Sequence, residues 1–155
     1  MTASPTTGII AVEGERMLWS SDATAGGVSR QDMRPFGAGW SGDAQLFWGP
    51  TSPGAQLSFS FKTASVGRYQ VFVDFTRAPD FAVVRATFDG APIVTFNGYA
   101  PRVTRDRALL GMLDLEPGVH ELLLEATGKD RKSTGFRVGI DRLTLEPVGH
   151  RPPGR

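Results

Sequence analysis

Apolar residues along this chain recur with a period of two rather than three or four. Leu57, Phe59 and Phe61 alternate with Gln56, Ser58 and Ser60, and Tyr69, Val71, Val73 and Phe75 repeat the pattern after a turn at Val66-Gly67-Arg68. Side chains on a strand point alternately to opposite faces, so this spacing predicts half-buried strands, and the short glycine turn between the two runs predicts a hairpin. Val84, Ala86 and Phe88 follow, then Asp89-Gly90-Ala91-Pro92, then Ile93 to Phe96. Asp-Gly between β-branched and aromatic residues is a strong hairpin signal, because both residues tolerate the positive φ of the tight turn.

The last third repeats the theme. Residues 109–115 form an apolar run, Glu116-Pro117-Gly118 turns the chain, and His120, Leu122, Leu124 and Ala126 make one strand face. Phe136, Val138 and Ile140 alternate, but Leu143 and Leu145 continue out of phase, which predicts a bulge near Asp141. With residues 8–12 and 16–19 at the front, the pattern gives roughly eight to ten strands and an antiparallel β-sandwich of jelly-roll type. Helical periodicity is nearly absent. Three stretches break the alternation: residues 20–39, 97–107 and 128–135. Long irregular segments in a compact domain are often functional when ordered.

Composition narrows the picture. The 155 residues suit one domain, with residues 8–147 as the sandwich, 1–7 as a flexible lead and 148–155 as a Pro/Gly/Arg-rich tail or linker. The 19 Gly and 11 Pro supply the turns between strands. Seventeen basic and sixteen acidic residues leave a net charge of +1, which argues against a polyanion such as nucleic acid. Without cysteine there is no disulfide, thiolate metal site or cysteine nucleophile. No apolar run approaches the roughly 20 residues of a membrane-spanning helix, and the first residues carry no secretory signal pattern. No nucleophile elbow, zinc-protease helix motif or phosphate-cradling glycine loop occurs, so catalysis finds little support.

The order of motifs is more informative. Val12-Glu13-Gly14-Glu15 stands early, Gly67-Arg68-Tyr69 opens a strand after a Trp-rich segment, and an Asp-Gly hairpin follows. Glu116-Pro117-Gly118-Val119-His120-Glu121-Leu122 and Gly139-Ile140-Asp141-Arg142-Leu143-Thr144-Leu145 come late. Over residues 10–147 this order resembles the galactose-binding-like β-sandwich of carbohydrate-binding modules of families 6 and 35. The stretch Gly128-Lys129-Asp130-Arg131-Lys132-Ser133-Thr134-Gly135-Phe136 is similar to one in the accessory sandwich domains of glycoside hydrolases. The resemblance implies a non-catalytic sugar-binding domain, extracellular or periplasmic, beside a catalytic glycoside hydrolase partner. It also implies a structural calcium ion, carried over here to Glu13, Glu15 and Asp141. Calcium takes six to eight oxygen ligands and would relieve the repulsion between Glu13 and Glu15, which share one strand face. The alternative is that both glutamates face solvent on an edge strand while Asp141 caps the bulge.

Sugar recognition needs aromatic faces for the C–H surfaces of the ring and polar groups to orient its hydroxyls. Trp40, in Gly39-Trp40-Ser41-Gly42-Asp43, and Tyr99, in Asn97-Gly98-Tyr99, sit in turn-rich loops that would expose their rings. With Asp43, Asn97, Arg102 and Arg105 they form the candidate ligand site, at one end of the sandwich. The competing reading makes Trp40 a plug of the core. Trp19 and Trp48, in strand-like contexts, read as core. Arg30, Arg34, Arg102, Arg105 and Arg107 form a cationic rim for an acidic sugar only if they cluster; otherwise they are solvated or pair with neighbours such as Asp32 and Asp106. Two rival functions stay open: a structural sandwich packing on a partner domain or another copy of itself, and a small glycosidase or lyase using two facing carboxylates.

Overall fold

The computed structural model describes residues 9–14, 16–17, 21–49 and 52–148. Among them eleven strands form two antiparallel sheets, with no α-helix. The strands are β1 (Ile10–Glu13), β2 (Ser21–Ala23), β3 (Gly27–Asp32), β4 (Ala44–Gly49), β5 (Gln56–Thr63), β6 (Gly67–Arg77), β7 (Val83–Phe88), β8 (Ala91–Asn97), β9 (Thr104–Leu115), β10 (Gly118–Gly128) and β11 (Val138–Pro147). The first sheet has the order β3-β4-β11-β6-β9, with β1 also paired to β11. The second has the order β2-β5-β10-β7-β8. The all-β sandwich read from the alternation is the observed fold. The count exceeds eight to ten because β2 and β3 lie in the stretch 20–39 that lacks alternation, where sheet pairing makes strands that the apolar pattern does not mark.

The core lies between the sheets. Leu46, Trp48, Tyr69, Val71, Val73, Ile140, Leu143 and Leu145 from the first meet Leu57, Phe59, Val84, Phe88, Leu122 and Leu124 from the second. Phe75 and Phe96 touch across the gap with ring centroids 4.1 Å apart. Trp48 is fully buried and donates its indole N–H to the Ala25 carbonyl at 2.8 Å, as a core tryptophan must to satisfy its one polar atom. Trp19 lies outside the described residues.

Two features expected from the sequence, a tight turn and a bulge, are present. Asp89 (φ 54°) and Gly90 (φ 83°) form the tight turn that joins β7 to β8. β1 pairs with β11, and the register of β11 on β6 slips between Ile140 and Arg142, at the expected bulge. Two expectations are corrected. Residues 57–61 and 69–75 do not form a hairpin: β5 pairs with β2 and β10 in one sheet, β6 with β11 and β9 in the other. Alternation reports which residues face the core, and it is the same whether consecutive strands lie side by side or face each other across it. Arg16 and Met17, expected to open a strand, form a helical turn instead.

Candidate functional site

The outer face of the first sheet, away from the core, carries the residues that alternate with the core set: Gln31 on β3, Gln45 and Phe47 on β4, Phe72, Asp74 and Thr76 on β6, and Arg105 and Arg107 on β9. Register confirms the grouping, since Gln31 pairs with Gln45, Thr76 with Arg105 and Asp74 with Arg107. The β3–β4 connection folds back over this face. It buries Met33 and Trp40, neither of which belongs to the central core. Two short 3-10 turns, Arg34–Phe36 and Ser41–Asp43, shape the connection, with Gly42 (φ 64°) and Asp43 (φ 57°) in the left-handed region.

Trp40 is therefore not an exposed platform. It is 6% exposed, and its indole N–H donates to the Thr76 hydroxyl at 2.8 Å. Thr76 in turn donates to Gln45 Oε1, and Gln45 Nε2 donates to Gln31 Oε1 at 2.8 Å. Gly139 makes room for this chain: a Cβ there would stand 2.5 Å from Gln45 Oε1. The glutamine side chain thus lies flat on the β11 backbone.

Beside this chain runs a groove of about 350 Å³. Met33, Phe47, Ala78, Phe81 and Val103 supply its apolar surface; Gln31, Gln45 and Thr76 supply hydrogen-bonding groups. Phe47 and Phe81 touch, with ring centroids 6.3 Å apart. Phe36, also lining the groove, is 45% exposed. The two charged residues of the lining, Asp80 and Arg137, pair with each other at 2.6 Å. An apolar depression with a few converging polar groups is the usual form of a small-ligand site.

Next to the groove on the same face is a charge cluster. Asp74, 1% exposed, accepts from Arg107 at 2.8 Å and Arg142 at 3.1 Å, with Arg105 at 3.4 Å. Burial pushes its carboxyl up, but the Arg107 and Arg142 hydrogen bonds outweigh this and hold it below the ordinary range. Arg107 also lies over the Phe72 ring, 4.5 Å from its centre. Asp141, fully buried at the bulge, accepts from Arg105 Nε at 2.6 Å and from the Ser41 amide at 2.9 Å. Burial raises its carboxyl, and Arg105 and Ser41 offset this only in part. The bulge puts Asp141 and Arg142 together on the outer face, which explains the phase slip in β11. Ser41 Oγ donates to Glu13 Oε2 at 2.8 Å, so one serine joins Glu13 to Asp141. Glu13 Oε1 is buried with no hydrogen-bond partner among the described residues. No group of three His, Cys, Asp or Glu residues among the described ones is placed to hold a metal. Glu15 lies outside the described residues.

The six residues expected to form a sugar site are divided. Trp40 and Arg105 stand on the outer face of the first sheet, both engaged from within the protein. Asp43 is exposed at the end of the covering loop, its carbonyl accepting from the Met33 amide at 2.8 Å. Asn97 and Tyr99 belong to the loop after β8: Asn97 Oδ1 accepts from the Tyr99 amide, and its Nδ2 donates to Asp130, both at 2.9 Å. Tyr99 is half-buried and bridges to Ala78. Arg102 is exposed beside Val103. None of the six lines the groove. Of the loop arginines, Arg34 pairs with Asp32 at 2.7 Å, as its neighbour position suggested. Arg107 instead reaches across the sheet to Asp74. The groove residues Phe36, Phe47, Gln31 and Gln45 escaped sequence reasoning. The one signal was on β4, where Gln45 and Phe47 alternate with Leu46 and Trp48 and only Trp48 was read, as core.

No known family profile and no curated protein sequence matches this chain. Solved structures do. A Paenibacillus xanthan lyase superposes with a TM-score of 0.77 at 18% identity, over 95% of this chain and 14% of the lyase. The Podospora anserina GH26-CBM35 β-(1,4)-mannanase gives 0.62 at 16% identity, over 94% of this chain and 29% of the enzyme. A family 35 carbohydrate-binding module from Clostridium thermocellum gives 0.57 at 14% identity, over 92% of this chain and 100% of the module. The chain thus spans a small part of the two enzymes and the full length of the module. Its fold is that of the family 35 carbohydrate-binding modules and of accessory β-sandwich domains in carbohydrate-active enzymes.

Proposed function

We propose that this chain is a non-catalytic carbohydrate-binding domain whose ligand lies in the groove on the outer face of the first sheet. The observation that carries this reading is the composition of the groove: an exposed ring (Phe36), an aromatic floor (Phe47, Phe81) and the amide of Gln31 within one depression of about 350 Å³. That volume suits one or two sugar units, whose C–H faces stack on rings while amides bind hydroxyls. A non-catalytic role is supported by the lining itself. Glycoside hydrolysis needs two carboxyl groups facing one bond, and the groove's single carboxylate, Asp80, is committed to Arg137. The end-loop residues Asn97, Tyr99 and Arg102 serve as a flanking contact for a longer chain, and a catalytic glycoside hydrolase domain is the partner the fold suggests.

The test is affinity electrophoresis in gels containing plant and microbial polysaccharides, with Phe36→Ala and Tyr99→Ala beside the wild type. Binding by the wild type that weakens at least tenfold in Phe36→Ala supports the groove. Loss in Tyr99→Ala alone moves the site to the end loop. No retardation of the wild type in any gel sinks the reading.

We propose a structural calcium ion at Glu13 and Asp141, the resemblance adding Glu15, which lies outside the described residues. Glu13 Oε1 is buried without a partner among the described residues, and a cation would satisfy it. Such an ion would bridge β1 to the β11 bulge and, through Ser41, hold the covering loop in place. Its chemistry there is structural: charge compensation and cross-linking of strands.

A further inference from the structure

The hydrogen-bond chain under the covering loop has a direction. An indole N–H can only donate, so at Thr76 the Trp40 nitrogen takes an acceptor lone pair. The Thr76 hydroxyl is buried with its residue 1% exposed, and its hydrogen needs an acceptor; Gln45 Oε1 is the one it meets. That bond sets the Gln45 amide with oxygen toward Thr76 and NH2 toward Gln31. Gln31 then accepts through Oε1, and its own NH2 remains as the terminal donor of the chain, on a residue that lines the groove. Reversing the Gln45 amide would leave the buried Thr76 hydroxyl hydrogen with no acceptor, and reversing the Gln31 amide would set its NH2 against that of Gln45. Trp40, which does not line the groove, thereby dictates the polarity of a group that does.

We propose that the groove selects an acyl-substituted sugar, with the ester carbonyl oxygen accepting from the Gln31 NH2 and the acyl methyl lying on the aromatic floor of Phe47 and Phe81. This rests on the groove being the glycan site and names its ligand more narrowly. A carbonyl oxygen only accepts, which matches a donor of set direction; a hydroxyl can turn to suit either polarity and draws no discrimination from it. A carboxylate would also accept, but the groove offers it no free cation, since Arg137 is held by Asp80 at 2.6 Å. The neutral carbonyl carried by a methyl group is the chemistry that fits both the amide and the apolar floor. Trp40 is a positioning residue in this scheme and touches no ligand.

The experiment uses acetylated glucomannan and acetylated xylan oligosaccharides, each before and after mild alkaline deacetylation, and titrates them calorimetrically into the wild type, Gln31→Glu and Trp40→Phe. Glutamate keeps the shape of Gln31 but replaces its donor by an acceptor, on strand β3 at the sheet edge where the fold tolerates it. The wild type is expected to bind at least one acetylated form tenfold or more tightly than its deacetylated counterpart. Gln31→Glu is expected to lose that ratio with an unchanged melting temperature. In Trp40→Phe the ratio falls even at temperatures where the variant is fully folded, which lost packing alone would not cause. Equal affinity for both forms overturns the acyl inference while leaving the glycan site standing. Tighter binding of a uronate oligosaccharide, added as a further arm, overturns it in favour of a carboxylate. A ratio retained in Gln31→Glu overturns the assignment to that amide. Failure of the wild type to bind every member of the set overturns the inference and, if the gels are also negative, the glycan site with it.

Discussion

Replacing Asp74 by asparagine tests the charge cluster that stiffens the outer face. The substitution keeps shape and burial but removes the anion that three guanidinium groups share at 2.8, 3.1 and 3.4 Å. Breaking a fully buried ion pair by removing one partner costs about 3–5 kcal/mol. Here the cations Arg105, Arg142 and Arg107 keep 28%, 32% and 37% of their side-chain surface in water, so much of their charge stays solvated once the anion is gone. The expected loss is accordingly lower, about 2–3 kcal/mol, or roughly 5–10 °C in melting temperature for a domain of this size. Urea unfolding at pH 7 followed by tryptophan fluorescence reads it directly. The pH dependence provides the second half of the test. A carboxyl whose folded pKa is held below its ordinary 3.8 contributes stability that is present above that value and lost as pH falls through the lowered one. The gap between wild type and Asp74→Asn is therefore constant from pH 5 to 8 and closes below about pH 4. A gap under about 0.5 kcal/mol at neutral pH, or one that persists undiminished at pH 2.5, would refute a role for the Asp74 charge.

Other outcomes follow from the same structure. His120 is held between Asp89 Oδ2 and the Glu116 carbonyl, each 2.7 Å from a ring nitrogen, and lies against Phe61 and Phe88. Burial disfavours its charge, but two acceptors on one ring favour the imidazolium and raise its pKa above 6.5, so its contribution is full below that value and lost as pH rises through the raised one. Thermal melts from pH 5 to 9 should show this decline in the wild type and not in His120→Gln. Gly14→Ala would drive a Cβ to 2.0 Å from the Ile140 carbonyl oxygen, which is backbone and cannot step aside. It should separate β1 from the β11 bulge at a cost of about 3 kcal/mol or prevent folding, read by melting temperature. Gly139→Ala meets the amide end of Gln45, which is buried and bonded to Thr76 and Gln31, so it should lower the melting temperature by several degrees and weaken glycan binding severalfold. For calcium, a melting temperature that falls on adding chelator and recovers with excess calcium is expected, because a ligand at 100 times its Kd adds about 2.7 kcal/mol to the folded state. An unchanged midpoint would remove the ion from the scheme.

Much of the architecture was legible because period-two alternation has one structural cause. Leu57, Phe59, Tyr69, Val71, Val73, Leu122, Leu124, Leu143 and Leu145 all face the core as their spacing requires. The phase slip after Ile140 marked a real bulge, and Asp89-Gly90 a real tight turn, since both are local consequences of residue type. Alternation is silent on which strand lies beside which, so β5 and β6 read as a hairpin although they belong to opposite sheets. It is equally silent on what covers an outer face. A glycine-flanked tryptophan reads as exposed until a loop is seen to fold back and bury it against Thr76. The groove depends on that fold-back, on Phe47 meeting Phe81 across 34 positions of sequence and on Gln45 reaching Gln31. The sequence by itself determined which residues are buried between the sheets and where the chain must turn, because burial and turn geometry act within a few residues. The tertiary structure alone decided the order of strands and the site, because both rest on contacts between distant segments that leave no periodic trace.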